Sequence, residues 1–225
     1  NSRQSDIHRL NTQLKDLRRA QTGYDPSQPR FFDERRTDPD GEILLSQPES
    51  GLAYLDLGKP SGVMPGTRFV VFRFGKGGMA EPKGMVEILK VHDDLAEASI
   101  FPVERASQLL NEGRAAEDPK WVLSAYDVVA KGDKIANPIF ARDRTRKFAF
   151  VGHFTAEDSR YSREELEKML KDLGVTVEPA AGVQTDVVVV GGKKEDYEKE
   201  AGYQLAVKMG IELMTVRQLV KYLKN

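Results

Sequence analysis

Thr185-Asp186-Val187-Val188-Val189-Val190-Gly191-Gly192 decides how the C-terminal third of this chain must fold. Four consecutive valines do not alternate with polar residues, so both faces of the segment need cover. Their β-branched side chains favour a strand, and the two glycines end it in a turn. A strand covered on both faces belongs in a parallel sheet with helices on either side. The neighbouring residues supply those helices. Upstream, Phe148–Val151 is a second apolar strand, and Arg163–Leu173 reads as a helix with Leu166, Met169, Leu170 and Leu173 on one face. Gly174 stops that helix before a short strand at Val175–Val177. Downstream, Glu195–Met209 reads as one helix ending at Gly210, Ile211–Met214 as a strand, and Thr215 caps a last helix, Val216–Leu223. The order βαββαβα predicts an α/β domain over residues 146–225 with a parallel four-stranded sheet.

A different pattern precedes it. Residues 41–141 hold short apolar runs separated by turn signals such as Pro60-Ser61-Gly62, Pro65-Gly66 and Lys131-Gly132-Asp133. Strands are expected at Glu42–Ser46, Leu52–Leu57, Phe69–Phe74, Met85–Val91 and Ala96–Phe101, with Gly75–Lys83 a loop and His92–Asp94 a turn. A helix is expected over 103–116, and further strands at Trp121–Leu123 and Val128–Val129. Ile135 to Phe140 closes the unit. This spacing predicts a small all-β barrel with a helical insertion. Residues 23–40, with Gly23, Pro26, Pro29 and Pro39, read as a linker. Residues 1–22 read as an amphipathic helix. Ile7, Leu10, Leu14 and Leu17 form a narrow stripe at heptad spacing, which suits the end of a coiled coil that would make the protein a homo-oligomer.

Composition narrows the function classes. The 225 residues include 34 Lys+Arg and 35 Asp+Glu, a net charge of −1. By region the balance is +1 over 1–40, −2 over 41–145 and 0 over 146–225. No region has the surplus of Lys and Arg that strong nucleic-acid binding requires, so nucleic acid is not the favoured partner. The absence of cysteine removes disulfides, thiolate metal sites and thiol catalysis. No apolar run reaches the length of a membrane-spanning helix. The first residue is Asn1, consistent with a chain that once continued upstream.

Residues 147–225 resemble the BRCT domain, most closely the form at the end of bacterial NAD-dependent DNA ligases. The resemblance is carried by Phe148-Ala149-Phe150-Val151-Gly152-His153-Phe154, by the helix and strand from Leu170 to Val177, by Thr185-Asp186 before the valine strand and Gly191, and by Ala206, Gly210 and Ile211 at the end of the next helix. It implies a module that binds other proteins, or DNA in the ligase-associated members. Three positions depart from the family pattern. Leu219 stands where a Trp is common. Val151 stands where phosphopeptide-binding members carry a Ser or Thr, and Ala206 lies where they carry a Lys, with Lys208 two residues on. A phosphate needs charge-assisted donors, so phosphopeptide binding through the family's usual pocket is not expected. The Lys-x-Asp-Gly nucleophile motif of ligases is absent, and their four-cysteine zinc module is impossible here.

The middle region resembles small barrels of bacterial envelope and flagellar-assembly proteins, such as the C-terminal domain of the flagellar assembly protein T family. Tyr54-Leu55-Asp56-Leu57-Gly58, Gly62-Val63-x-Pro65-Gly66-x-x-Phe69 and Gly132-Asp133-Lys134-Ile135-x-Asn137-Pro138 carry that likeness. It implies an accessory or scaffold module. The two resemblances point to different compartments, cytoplasmic for the BRCT unit and extracytoplasmic for the barrel.

Few residues are arranged for chemistry. Gly75-Lys76-Gly77-Gly78 lacks phosphate-loop spacing and reads as a hairpin loop. His92-Asp93-Asp94 reads as a turn rather than a metal site, and His153 as a surface histidine at a strand end. Gly191, Gly192, Lys193 and Lys194 follow a parallel-type strand and precede a helix, where open α/β sheets bind ligands, so they are the candidate phosphate or anion-binding loop. Glu195, Asp196, Glu198 and Glu200 offset the lysines. Arg146 and Lys147 could join Lys193 and Lys194 in a nucleic-acid patch if the fold clusters them. No catalytic set and no cofactor are expected. The sequence predicts a non-enzymatic modular scaffold whose protein partners it does not name, with a DNA-binding BRCT protein as the alternative.

Overall fold

The computed structural model describes residues 28–33, 38–112, 120–124, 128–142, 144–154 and 160–223. The helix read over residues 1–22, with its stripe of Ile7, Leu10, Leu14 and Leu17, lies outside the described residues. Among the described residues, no helix is long and apolar enough to cross a membrane.

Two sheets account for the architecture. The first is a closed barrel of six antiparallel strands: β1 (Gly41–Gln47), β2 (Leu52–Leu55), β3 (Arg68–Phe74), β4 (Ala80–Val91), β5 (Ala96–Ile100) and β6 (Lys134–Ala136). The strands run around the barrel in the order β1, β2, β5, β4, β3, β6. Turn chemistry sets this register. Gly62 and Gly66 adopt positive φ (73° and 89°), and the Gly66 amide donates to the Ile88 carbonyl at 2.8 Å. Ile43, Ala53, Leu55, Phe69, Val71, Val86, Ile88 and Ile135 fill the interior. Phe69 packs edge-on against Phe140 with ring centroids 5.5 Å apart.

Three barrel expectations need correction. Residues 80–83, read as loop, belong to β4, which is 12 residues long. Register shifts between Val71 and Phe72 on β3 and between Ile88 and Lys90 on β4 let so long a strand curl around the barrel. The helix α1 spans Val103–Asn111 rather than reaching 116. Trp121–Leu123 and Val128–Val129 are not strands. The Asn111 side chain substitutes for a ladder partner there: its Oδ1 accepts from the Trp121 amide and its Nδ2 donates to the Trp121 carbonyl, both at 2.7 Å.

The second sheet has four parallel strands in the order β10, β9, β7, β8, from β7 (Lys147–Gly152), β8 (Thr176–Val177), β9 (Val187–Gly191) and β10 (Glu212–Thr215). Its helices are α2 (Arg163–Asp172), α3 (Lys194–Tyr197), α4 (Ala201–Met209) and α5 (Val216–Val220). Capping boxes start α2 and α5: Ser162 with Glu165, and Thr215 with Gln218. Gly210 ends α4 at φ 66°. The valines behave as their run requires. Val187 and Val189 face the core under α2 and α5, and Val188 and Val190 face the core under α4.

The single helix expected over 195–209 is two helices. In one continuous helix, residues six apart point about 120° away from each other. Breaking the helix at Glu198–Glu200 brings Tyr197 and Tyr203 together, with ring centroids 5.3 Å apart, over the sheet.

The two sheets share a seam. On β3, Phe69 and Val71 point into the barrel while Val70 points out, into one cluster with Phe32, Met85, Leu109, Phe148, Leu166, Leu219, Tyr222 and Leu223. The buried Arg68 locks the seam. Its Nε bonds Glu87 at 2.9 Å, its guanidinium lies over the Phe101 ring at 5.5 Å, and its Nη1 donates to the Leu223 carbonyl. A short strap adds a second tie. Within residues 23–40, Phe31 pairs in parallel with Leu213 at the sheet edge. The Phe32 amide donates to the Leu213 carbonyl and the Leu213 amide to the Arg30 carbonyl, each at 2.8 Å. Phe32 then packs edge-on against Tyr222 at 6.4 Å.

Candidate functional site

The loops after β7 and β9 meet at the C-terminal edge of the parallel sheet, where Gly152 pairs with Gly191. Glycine is required at both positions. Gly152 sits at φ 94°, and a Cβ there would lie 2.1 Å from the Gly191 carbonyl oxygen. A Cβ on Gly191 would meet the His153 carbonyl oxygen at 2.8 Å and the Phe154 ring at 2.9 Å. Gly192, at φ 84°, turns the chain outward. The glycines of the candidate anion loop therefore let two loops cross closely, which leaves Lys193 and Lys194 to carry any ligand chemistry.

Both lysines are exposed. Lys194 lies 3.7 Å from Glu198 one helical turn on, and the first turn of α3 contains Glu195 and Asp196. His153 is exposed beside them. Beneath the loop, burial and then the nearby Glu198 push the Tyr203 hydroxyl up to about 12, and burial raises that of Tyr197. Neither phenol exchanges a proton near neutral pH. At the family's phosphate position, Val151 is buried and a Cβ on Gly202 would lie 2.7 Å from its Cγ2. Ala206 is buried in the same cluster, and Lys208 is exposed. Helix α4 thus packs tightly against β7 where a phosphate-binding pair would have to open.

The hypothetical patch of Arg146, Lys147, Lys193 and Lys194 does not form. Lys147 begins β7 and Lys193 follows the end of β9, and the parallel pairing places these at opposite edges of the sheet. Lys147 instead bonds Gln184 and lies 3.9 Å from Glu178.

Other sequence candidates have structural roles. Gly75–Gly78 lies in the β3–β4 hairpin. His92 to Asp94 make the β4–β5 turn, where the His92 amide donates to the Leu95 carbonyl and Asp93 pairs with Lys59 at 2.7 Å. Thr185 and Asp186 staple strand starts. Thr185 Oγ1 accepts from the Gly182 amide at 2.8 Å and donates to Glu178. Asp186 accepts from the Lys147 amide at 2.9 Å and from Arg144 Nη1 at 2.7 Å. Asn137 accepts from the Ile139 amide through Oδ1 and donates to the Arg68 carbonyl through Nδ2, both at 2.6 Å.

Sequence reasoning missed a second polar site. From residues 142–147 the sequence reading singled out Arg146 and Lys147 alone, yet Arg142, Arg144 and Arg146 all line one cleft with Asp40, Glu42, Asp56 and Lys134. Their spacing at every second residue was the available signal.

With this geometry in hand, residues 147–223 match the family model of the BRCA1 C Terminus (BRCT) domain. The C-terminal unit is a BRCT domain. The chain is also similar to a DNA ligase of Finegoldia magna, with 35% identity over 104 residues. That similarity covers 45% of this chain and 14% of the ligase, so the chain spans a small part of the length of that curated relative. The BRCT domain here is of the DNA ligase type.

Proposed function

We propose that this chain is a non-enzymatic interaction module in which the barrel and the BRCT domain present one composite surface to a protein partner, with residues 1–22 supplying self-association. The observation that carries the reading is the seam. Val70, Met85, Phe148, Leu219 and Tyr222 share one buried cluster, so the barrel is packed against the BRCT domain rather than tethered to it. A scaffold needs such fixed geometry between its surfaces. BRCT domains bind proteins or DNA. The protein reading is favoured because the lysines of the C-terminal edge are countered by acids and lie across the sheet from Arg146 and Lys147. The whole-chain charge of −1 points the same way.

Two measurements test this. In a gel shift with duplex DNA at low and high salt, the reading expects no retention at physiological ionic strength. A complex that survives there and is lost in Lys193→Glu/Lys194→Glu would replace it with the DNA-binding alternative. Light scattering on the full chain and on one lacking residues 1–22 tests self-association. The expected result is an oligomer that becomes a monomer on deletion, and a full-length monomer would remove that part of the reading.

A further inference from the structure

The cleft between the barrel and residues 141–146 has a volume of about 460 Å³, within the range of small-ligand sites. Its lining is charged, and most of those charges are already matched. Glu42 pairs with Lys134 at 2.6 Å. Asp56 pairs with Arg142 at 2.9 Å and accepts from the Glu42 amide at 2.7 Å. Gly41 permits that closeness, since a Cβ on it would lie 2.3 Å from Asp56 Oδ1. Arg144 binds Asp186 through two 2.7 Å contacts.

Arg146 is different. It lines the cleft, and among the described residues it makes no ion pair within bonding distance. Its Nε is fully buried and has no acceptor. With that N–H sealed from solvent, acceptor oxygens can reach only the other guanidinium nitrogens.

The acids nearest Arg146 supply them poorly. Asp40 spends its Oδ2 on the Asn137 amide at 2.7 Å. Burial raises the Asp40 carboxyl to about 7, against the lowering effects of the Asn137 amide and Arg146, and Asp38 adds to the rise. Burial also raises Glu212 on the sheet side, although Arg30 and Arg146 pull it down. Near neutral pH a large share of Asp40 is protonated. A protonated Asp40 leaves Glu212 to offset Arg146 and can itself donate a hydrogen bond.

We propose that this cleft binds a small tetrahedral oxyanion of the phosphate or sulfate class, held chiefly by Arg146 beside Asp40. The guanidinium fork matches such an anion. Asp40 ties binding to pH. Its ionised form repels an anion, so occupancy favours the proton, and affinity falls as pH rises through neutrality. The other titratable groups facing Asp40 across the cleft are Glu42, Asp56, Lys134, Arg142 and Arg144.

Sulfate is the better first probe, because its charge is constant between pH 6 and 8 and any pH dependence then reports on the protein. The test is titration calorimetry of the full chain with sodium sulfate near pH 6 and near pH 8, at constant ionic strength. Amide NMR shifts locate the site. The expected result is saturable binding, several-fold tighter near pH 6, with shifts at Asp40, Gly41, Ala141 and Arg146. Arg146→Gln should weaken binding by roughly tenfold or more, the usual loss for a charge-assisted contact. Asp40→Asn should keep the binding and flatten its pH dependence, and it serves as the second variant if Arg146→Gln unfolds. Inorganic phosphate and a small phosphomonoester, compared at the same pH, then distinguish a free anion from a phosphorylated small molecule. Lack of saturable binding near pH 6 would overturn the proposal. So would binding that survives Arg146→Gln but is lost in Lys193→Gln/Lys194→Gln, because the anion would then sit on the opposite edge of the sheet.

Discussion

The barrel and the BRCT domain solve the problem of covering a sheet in opposite ways. The barrel closes on itself, so each strand needs only one apolar face, turned inward. The BRCT sheet stays open and needs helices on both faces. Strand β3 breaks the barrel's rule. Phe69 and Val71 face in and Val70 faces out, and all are buried. An antiparallel barrel strand that is apolar on both faces must be covered from outside, and here the BRCT domain and the strap provide the cover. The difference teaches that a strand's apolar period identifies more than its own sheet: where it exceeds what the sheet needs, a neighbour is implied.

The largest effect should come from the seam itself. Tyr222 is 1% exposed and packs against Phe32. Tyr222→Ala should cost about 3–5 kcal/mol, the range for a buried aromatic. It should also split a single calorimetric transition into two. A single transition merely shifted downward would show that the domains remain coupled without this residue. Next comes the barrel interior. Ile88→Ala should cost about 2–5 kcal/mol. If the seam couples the domains, tryptophan fluorescence from Trp121 and circular dichroism of the BRCT helices should report the same lowered midpoint.

The pH effect should be smaller. The native pKa of Asp40 lies above its unfolded value, so between about pH 4 and 7 the folded state binds more protons than the unfolded chain. Stability from this group should therefore fall as pH rises across that window and level off above it. Glu212 acts in the same direction. Urea titrations from pH 5 to 8 should show the decline, and Asp40→Asn should reduce its slope. The smallest effect belongs to a local feature. Ser162→Ala removes the capping box of α2 and should cost about 1 kcal/mol, measured as a shift in urea midpoint.

Much of this fold was readable because its signals are local. The valine run, the helix stop at Gly210 and the Thr215 cap each act within one turn or strand, and each occurs as expected. The barrel was readable as a class, while its strand limits were not. Whether residues 80–83 pair depends on bulges in β4 that no short-range pattern encodes. The break at Glu198–Glu200 was hidden for a related reason: it satisfies contacts between Tyr197 and Tyr203 over a sheet formed elsewhere. The polar cleft was least readable. Asp40 and Arg146 are far apart in the chain, and they face one cleft only because residues 141–146 return alongside the barrel strands.

The strap at Arg30–Phe32 has a consequence for biosynthesis. It is made well before its hydrogen-bonding partner Leu213. At ordinary translation speeds the partner follows on the order of 10–40 s later. The barrel can close in that interval, while the BRCT sheet must await its last strand. Phe31 and Phe32 therefore leave the ribosome as an apolar segment without their final partner. The nascent chain must keep them from other contacts until Leu213 has been made.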